Sequence, residues 1–432
     1  MTVLKGEDEV VELCRELIRI DSTNAGDNNG PGERAAAEYV AGKLAEVGVE
    51  ARILESDDRR ANVIARIEGT DPGREALLLH GHLDVVPFDA ADWTHHPLAG
   101  EVADECVWGR GAVDMKNMDA MILAVVQQRL SEGRRPPRDV VLMFTADEEA
   151  GGAYGANFLV DKHPELFEGV TEAIGEVGGF SVSVGDTRLY LIEAAEKGMA
   201  WMRLTAKGRA GHGSMLNTDN AITELADAVA RVGRHEWPVR LTPTVRTFLS
   251  EVSDALEIDE ADAEATVAKL GPLARMIGAV LRNTVNPTML EGGYKSNVVP
   301  QSASAVIDGR FLPGYEEEFF ATVDELIGPN VRREFIQHQV ALETGFDGPL
   351  VRAMTDALHA EDPAGRAVPY TMSGGTDLKA FSRLGIRGYG FAPLKLPAEL
   401  DFSGMFHGVD ERVPVDSLRF GVRVLDRFLG LC

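Results

Sequence analysis

Cysteine is scarce in this chain. The three present, Cys14, Cys106 and Cys432, lie far apart in 432 residues. That spacing excludes a disulfide framework and a zinc finger, and a reducing cytoplasm is the expected compartment. Basic charge is short as well: 43 Lys and Arg stand against 69 Asp and Glu, a net charge of −26. The balance argues against nucleic acid or an anionic membrane as partner. No stretch comes near the ~18 consecutive apolar residues that a membrane span needs. The opening MTVLKGEDEV lacks an apolar core, so no signal peptide is expected. Internal repeats and low-complexity segments are missing too. What is there is an ordinary apolar share of 44% in a long chain, enough for two or three soluble domains.

Hydrophobic periodicity divides the chain in three. Residues 6–19 and 32–47 carry apolar residues at helical spacing, and VEARILE, ANVIARIEG and Ala76–Leu79 read as strands. A strongly apolar helix starts near Met115, and Val140–Phe144 reads as a buried strand. A helix over 151–167 and a strand ending at Glu176 come next. Alternation of this kind over residues 1–195 predicts an α/β layered domain. Residues 196–340 differ. Residues 197–208, 302–314 and 331–339 read as strands, with helices before Val232 and over 315–327. The order predicts a split β-α-β-β-α-β sandwich. Residues 238–286 interrupt it, too long for a structureless loop, with a helical stretch near 262–281. From 341 to 432 the α/β style returns and closes on a helix.

The chemistry starts at TADEEAGG, residues 145–152. Glu148 and Glu149 are adjacent carboxylates at the end of a buried strand. Their repulsion and burial call for a metal or a proton as partner. His82 and Asp84 form H-x-D at another strand end and point the same way. An acid there can fix the tautomer of a ligating imidazole. Asp114 comes after the glycine turn WGRG, Glu176 ends a strand, and His407 lies in MFHGVDERV. Each has an ordinary structural explanation when taken alone: a helix cap, a loop acid, a surface histidine. Together they differ, because strand ends in an α/β sheet gather on one side. The set His, Asp, Glu, Glu, His fits a two-metal site with a bridging Asp and borderline N/O ligands.

The motifs HGHLDVVP (80–87), WGRGAVDMKN (108–117), TADEEAGG (145–152), GHGS (211–214), SNVVPQSASAVIDGR (296–310), SGGTDLKAF (373–381) and FHGVDERV (406–413) succeed one another along nearly the whole chain. In this order they resemble the zinc-dependent aminoacylase/carboxypeptidase family, which includes acetylornithine deacetylase, succinyl-diaminopimelate desuccinylase and related dipeptidases. The resemblance implies a mixed-sheet catalytic domain with helices on both faces and an inserted α+β, ferredoxin-like lid and dimerisation domain. It implies that His82, Asp114, Glu149, Glu176 and His407 are the metal ligands, with Asp114 as the bridge. One ion would take His82 and Glu176, the other Glu149 and His407. Glu148 matches the general base and Asp84 the acid behind His82. His212 matches a residue that reaches the partner subunit's site in a homodimer. Asn297, Arg310, Gly374 and Gly375 match substrate contacts. Two departures stand out: Glu105 where a glycine is usual, and GEVGGF around Glu176 in place of an acid with glycine directly after it. Glu172 and Glu193 are the fallback ligands.

The expected activity is hydrolysis of an amide bond in a small N-acyl amino acid or short peptide. Two divalent ions would serve it, zinc by ligand type, with cobalt or manganese also suited. Deacylase, dipeptidase, carboxypeptidase and carbamoyl hydrolase share such a centre and stay open at this point. A metal-stabilised binding protein without catalysis would have no use for Glu148. A two-metal phosphoesterase would need a basic cluster that the motifs lack.

Overall fold

A computed structural model describes residues 4–26, 28–258, 262–270 and 273–432. Its centre is a mixed sheet of ten strands. Val140–Thr145, Ala76–His82, Val170–Gly175 and Arg387–Gly390 lie side by side in that order, all parallel. Arg60–Ile67 and Ala51–Asp57 extend one side antiparallel. On the other side Thr187–Glu196 pairs with Arg387–Gly390, and Gly365–Met372, Phe180–Val184 and Leu342–Glu343 all join it.

The runs Ala76–Leu79 and Val140–Phe144 of the central parallel strands are apolar because both faces are covered. Leu77, Leu79, Leu142 and Phe144 pack towards helices Gly6–Arg19, Arg34–Ala45, Lys116–Ser131 and Val415–Leu431. Leu78, Val141 and Met143 point the other way, against Ala156–Lys162 and Leu378–Ser382. Period-two alternation divides each strand between these layers. Parallel direction then places the C-terminal ends of 76–82, 140–145 and 170–175 together on one side.

A second sheet has four antiparallel strands in the order Thr284–Gly292, Ser302–Phe311, Gly198–Lys207, Val331–Gln339. Helices Ala221–Arg234 and Glu316–Ile327 cover one face, burying Leu225, Val232, Phe319 and Val323 on Met202, Leu204 and Ile307. This is the split β-α-β-β-α-β order. The segment that interrupts it holds helices Pro243–Leu256, Ala263–Ala268 and Leu273–Gly278. Val245, Phe248, Leu249 and Val252 of the first join the core of the large sheet, not that of the small one.

Several local expectations change. The helix expected over 151–167 runs only from Ala156 to Lys162, with a 3-10 turn after it at Pro164–Phe167. The ten-residue strand Thr187–Glu196 has no alternation to mark it, since strands flank it and residues 189–196 are all buried. Glu105 takes the left-handed conformation usual for glycine: Asp104 and Glu105 have φ of 48° and 59° in the tight turn between Glu101–Ala103 and Cys106–Trp108. Two positive φ values are what a two-residue hairpin of this hand requires.

Candidate active site

Three parallel strand ends and two loops meet at one point. His82 is the last residue of Ala76–His82 and lies opposite Thr145. Glu148 and Glu149 form a one-turn 3-10 helix just past Val140–Thr145. Glu176 comes directly after Val170–Gly175. Asp114 precedes helix Lys116–Ser131, and His407 comes from a loop after Ser403–Met405. The last two loops are fastened by Glu411. Its carboxylate pairs with Arg110 and accepts from the Gly111 amide at 2.7 Å. Gly111 has a φ of 89°, so the WGRG turn uses its glycine.

His82 Nε2 stands 3.0 Å from Asp114 Oδ1 and 3.3 Å from Glu176 Oε2. His407 Nε2 stands 3.3 Å from Asp114 Oδ2 and 2.9 Å from Glu149 Oε2. Two groups of three therefore share Asp114: His82, Asp114, Glu176, and Asp114, Glu149, His407. Within each group the potential ligand atoms lie within 4.8 Å of one another. Glu148 belongs to neither group, and its Oε2 is 3.9 Å from His82 Nε2. His82 Nδ1 is 3.0 Å from the main-chain oxygen of Asp84, which turns Nε2 towards the acids. The Asp84 carboxylate is 3.6 Å from Nδ1 and accepts instead from the amides of Glu148 and Glu149, each at 3.1 Å.

The charge balance fits a cation. Four carboxylates, Asp114, Glu148, Glu149 and Glu176, surround two imidazoles. Burial raises the pKa of Glu148, helped by Glu176, and that of Glu149, helped by Asp114. Burial pushes Glu176 up to about 8. Burial also opposes charge on His82, but Glu176, Asp114 and Glu148 outweigh it and raise its pKa well above the ordinary value. Hydrogen bonds with Asp114 and Glu149 push His407 up to about 10. Glu149 Oε1 is buried with no hydrogen-bond partner among the described residues. A carboxylate oxygen without a donor, in a set of imidazole and carboxylate ligands, suits zinc or a similar divalent ion.

The centre opens into a cleft of about 560 Å³. Glu148, Glu149, His407, Gly374, Gly375 and Arg310 all line it. Arg310 donates through Nε and Nη2 to Asp308 at 2.7 and 3.1 Å, which fixes its plane. His212 and Asn297 lie elsewhere: both are exposed, in paired segments of the smaller unit, and neither lines this cleft. The fallback ligands are otherwise engaged. Glu172 accepts from Arg138 at 2.7 Å and Arg387 at 2.9 Å, and Glu193 accepts from the Gly390 amide at 3.0 Å.

Some cleft residues carried no separate signal in the sequence. Asp377 is buried beside the centre and accepts from Thr145 Oγ1 at 2.6 Å, and burial pushes it up to about 7. Its clue was its place in SGGTDLKAF. Met199, Trp201 and Gln337 also line the cleft, from strands of the small sheet. Asp147, just before the two glutamates, has a φ of 66° and accepts from the Tyr154 amide at 3.0 Å.

Comparison with known proteins agrees with this geometry. Residues 78–430 match the Peptidase family M20/M25/M40. Aminoacylase-1 of Sus scrofa is 29% identical over 341 residues, covering 77% of this chain and 74% of that protein. A probable carboxypeptidase S-like 2 of Dictyostelium discoideum is 27% identical, covering 82% of this chain and 70% of that protein. In fold, the chain is similar to the M20 metallo-carboxypeptidase Sso-CP2 of Sulfolobus solfataricus, with a TM-score of 0.73, 19% identity, and coverage of 98% of this chain and 99% of that one. It is also similar to the di-peptidase Dug1p of Saccharomyces cerevisiae, with a TM-score of 0.70, 15% identity, and coverage of 98% and 97%. The chain belongs to the peptidase family M20/M25/M40 and is a hydrolase of amide or peptide bonds.

Proposed function

We propose that the chain hydrolyses the amide bond of a small N-acyl amino acid or a short peptide at a two-metal centre. The observation that carries this reading is the pair of ligand groups sharing Asp114, with Glu148 beside them and free of both. His82, Asp114 and Glu176 would hold one ion, and Asp114, Glu149 and His407 the other. Zinc is the natural occupant, and cobalt or manganese would serve. Bound there, two such ions lower the pKa of a shared water towards neutrality and polarise a carbonyl.

Glu148 is the general base. It is half-buried at the cleft, and desolvation holds its pKa up, which suits a group that takes a proton from water near pH 7 and passes it to the leaving amine. Asp84 positions it through the two amides of its turn. Arg310 keeps Nη1 available after Asp308 has taken Nε and Nη2, and a substrate carboxylate is its match. Gly374 and Gly375 line the same cleft, in reach of a substrate held by Arg310.

His212 and Asn297 act from a second copy in a homodimer. Support comes from the surface around them. Met289, Leu290 and Tyr294 are exposed on or beside the edge strand of the small sheet, as are Met215 and Leu216 just past His212. An uncovered apolar edge of this kind suits pairing with another chain. His212 of the partner subunit would then steady the oxyanion of the tetrahedral intermediate. The three cysteines are all unpaired, in keeping with cytoplasm. No helix among the described residues is long and apolar enough to cross a membrane.

The test is amine release from a panel of N-acetyl amino acids and dipeptides, with metal content measured on the same sample. Turnover that requires about two ions per chain supports the reading. Two bound ions with no hydrolysis across the panel would favour a binding protein. Preference between acylated amino acids and dipeptides separates a deacylase from a peptidase.

A further inference from the structure

The turn that presents Glu148 and Glu149 is held from below by a residue 123 positions away. Asn24 is buried in the loop after the first helix, and its backbone amide donates to Val85 at 2.9 Å. Its side-chain nitrogen donates to Asp84 Oδ2 at 2.9 Å and to Asp147 Oδ1 at 3.0 Å. Its side-chain oxygen accepts from Arg60 Nη2 and from the Gly26 amide, both at 3.0 Å. Two donors on one side and two carboxylates on the other fix which way the amide faces, and all of its capacity in that plane is used.

The two carboxylates are the supports of the turn. Asp84 accepts from the amides of Glu148 and Glu149, and Asp147 accepts from Tyr154 where the chain leaves. Both are buried and carry like charge, so on their own they would push apart. An amide nitrogen with two hydrogens is the neutral group that can satisfy both at once. We propose that Asn24 is a positioning residue: it bridges Asp84 and Asp147 and thereby sets where Glu148 and Glu149 stand. The proposal rests on the reading of Glu148 as the base and Glu149 as a ligand.

Asn24→Asp is the sharp test. It keeps the acceptor side towards Arg60 and Gly26 and removes only the donor side. Supports one step behind metal ligands typically count for about 10–100-fold in activity or metal affinity. N24D is therefore expected to lose about 10–100-fold in kcat with little change in KM. Zinc affinity, read by competition with a chromophoric chelator, should weaken on the same scale. Asp147→Asn added to N24D reverses donor and acceptor across one of the two bonds and should recover part of both losses. Asn24→Ser tests the same lost bridge without an added charge, should N24D fail to fold. A merely structural residue would lower Tm while leaving kcat and zinc affinity of the folded protein unchanged, and that result overturns the proposal. So does a double variant no better than N24D. Glu148→Gln in the same assay keeps the questions apart. If it stays active, the base assignment fails; if it is dead while N24D turns over normally, the bridge fails.

Discussion

Zinc uptake by the metal-free protein should expel protons, and the amount is set by the two imidazoles. A ligating imidazole must be neutral. In the free centre His407 is pushed up to about 10 by its bonds with Asp114 and Glu149, and His82 is raised well above its ordinary value despite burial. Both pKa values are raised, so both groups hold a proton below them and lose it as pH rises. At pH 7 His407 lies well below that pKa and carries its proton. Each ion must then displace at least one proton. Apparent affinity should climb with pH between 6 and 8 at both ions, by about tenfold per pH unit at the ion held by His407. Titration calorimetry at pH 7 in two buffers of different ionisation enthalpy reads the proton count, and chelator competition at pH 6, 7 and 8 reads the slope. A heat independent of buffer, with affinity flat in pH, would mean neutral imidazoles. The contacts of His407 with Asp114 and Glu149 could not then be those of the free centre.

Three further predictions concern single side chains. Glu148→Gln should retain both ions, by metal analysis, and lose ~10²–10⁴ in turnover; near-normal kcat would remove Glu148 from the mechanism. His212→Ala should fold, dimerise and lose most activity. Mixed in equal amounts with E148Q under subunit exchange, it should recover about a quarter of wild-type activity, because half of the dimers are mixed and each has one complete site. No recovery in proven heterodimers rules out sharing. Gly81→Ala should destabilise by about 1–3 kcal/mol, the usual cost of overpacking, because its Cβ would sit 2.1 Å from Asp119 Oδ1. Asp119→Ala should relieve that loss in the urea midpoint. Asp119 is buried with both oxygens unpartnered among the described residues, so a D119A protein no more tolerant of G81A would contradict the packing argument.

The centre was legible because its residues sit at the ends of strands whose apolar runs are unmistakable. Val140–Phe144 can be read only as buried, and the residues just past such strands in a parallel sheet gather along one edge. His82, Glu148, Glu149 and Glu176 come together for that reason. Asn24 was not legible. It stands in a run of Gly, Asn and Asp that looks like any polar loop, and its partners lie 60 and 123 residues away. Thr187–Glu196 was missed because LIEAAE holds good helix formers and no alternation, while burial by flanking strands decides its structure. Residues 238–286 were read as an interruption with helices, but nothing in the helix Pro243–Leu256 says which core its apolar stripe will choose.

That choice has a mechanical result. The chain leaves the ten-stranded sheet for the four-stranded one between Glu196 and Gly198, and returns after Arg234 to lay Pro243–Leu256 on the large core. It departs again between Leu281 and Val285 and comes back between Gln339 and Leu342. Lys197 ties the first crossing to the third: its Nζ donates to the carbonyls of Ala279 and Arg282 and to Thr284 Oγ1 at 2.9–3.1 Å. A sheet hung from two strands can swing like a door. One stitched at four points moves only if the stitching shears with it, and the wall of the cleft that carries Arg310 and Trp201 is part of that sheet. Substitutions in the apolar stripe of Pro243–Leu256, none of which lines the cleft, are thus expected to alter the stiffness of that wall and not the groups it presents.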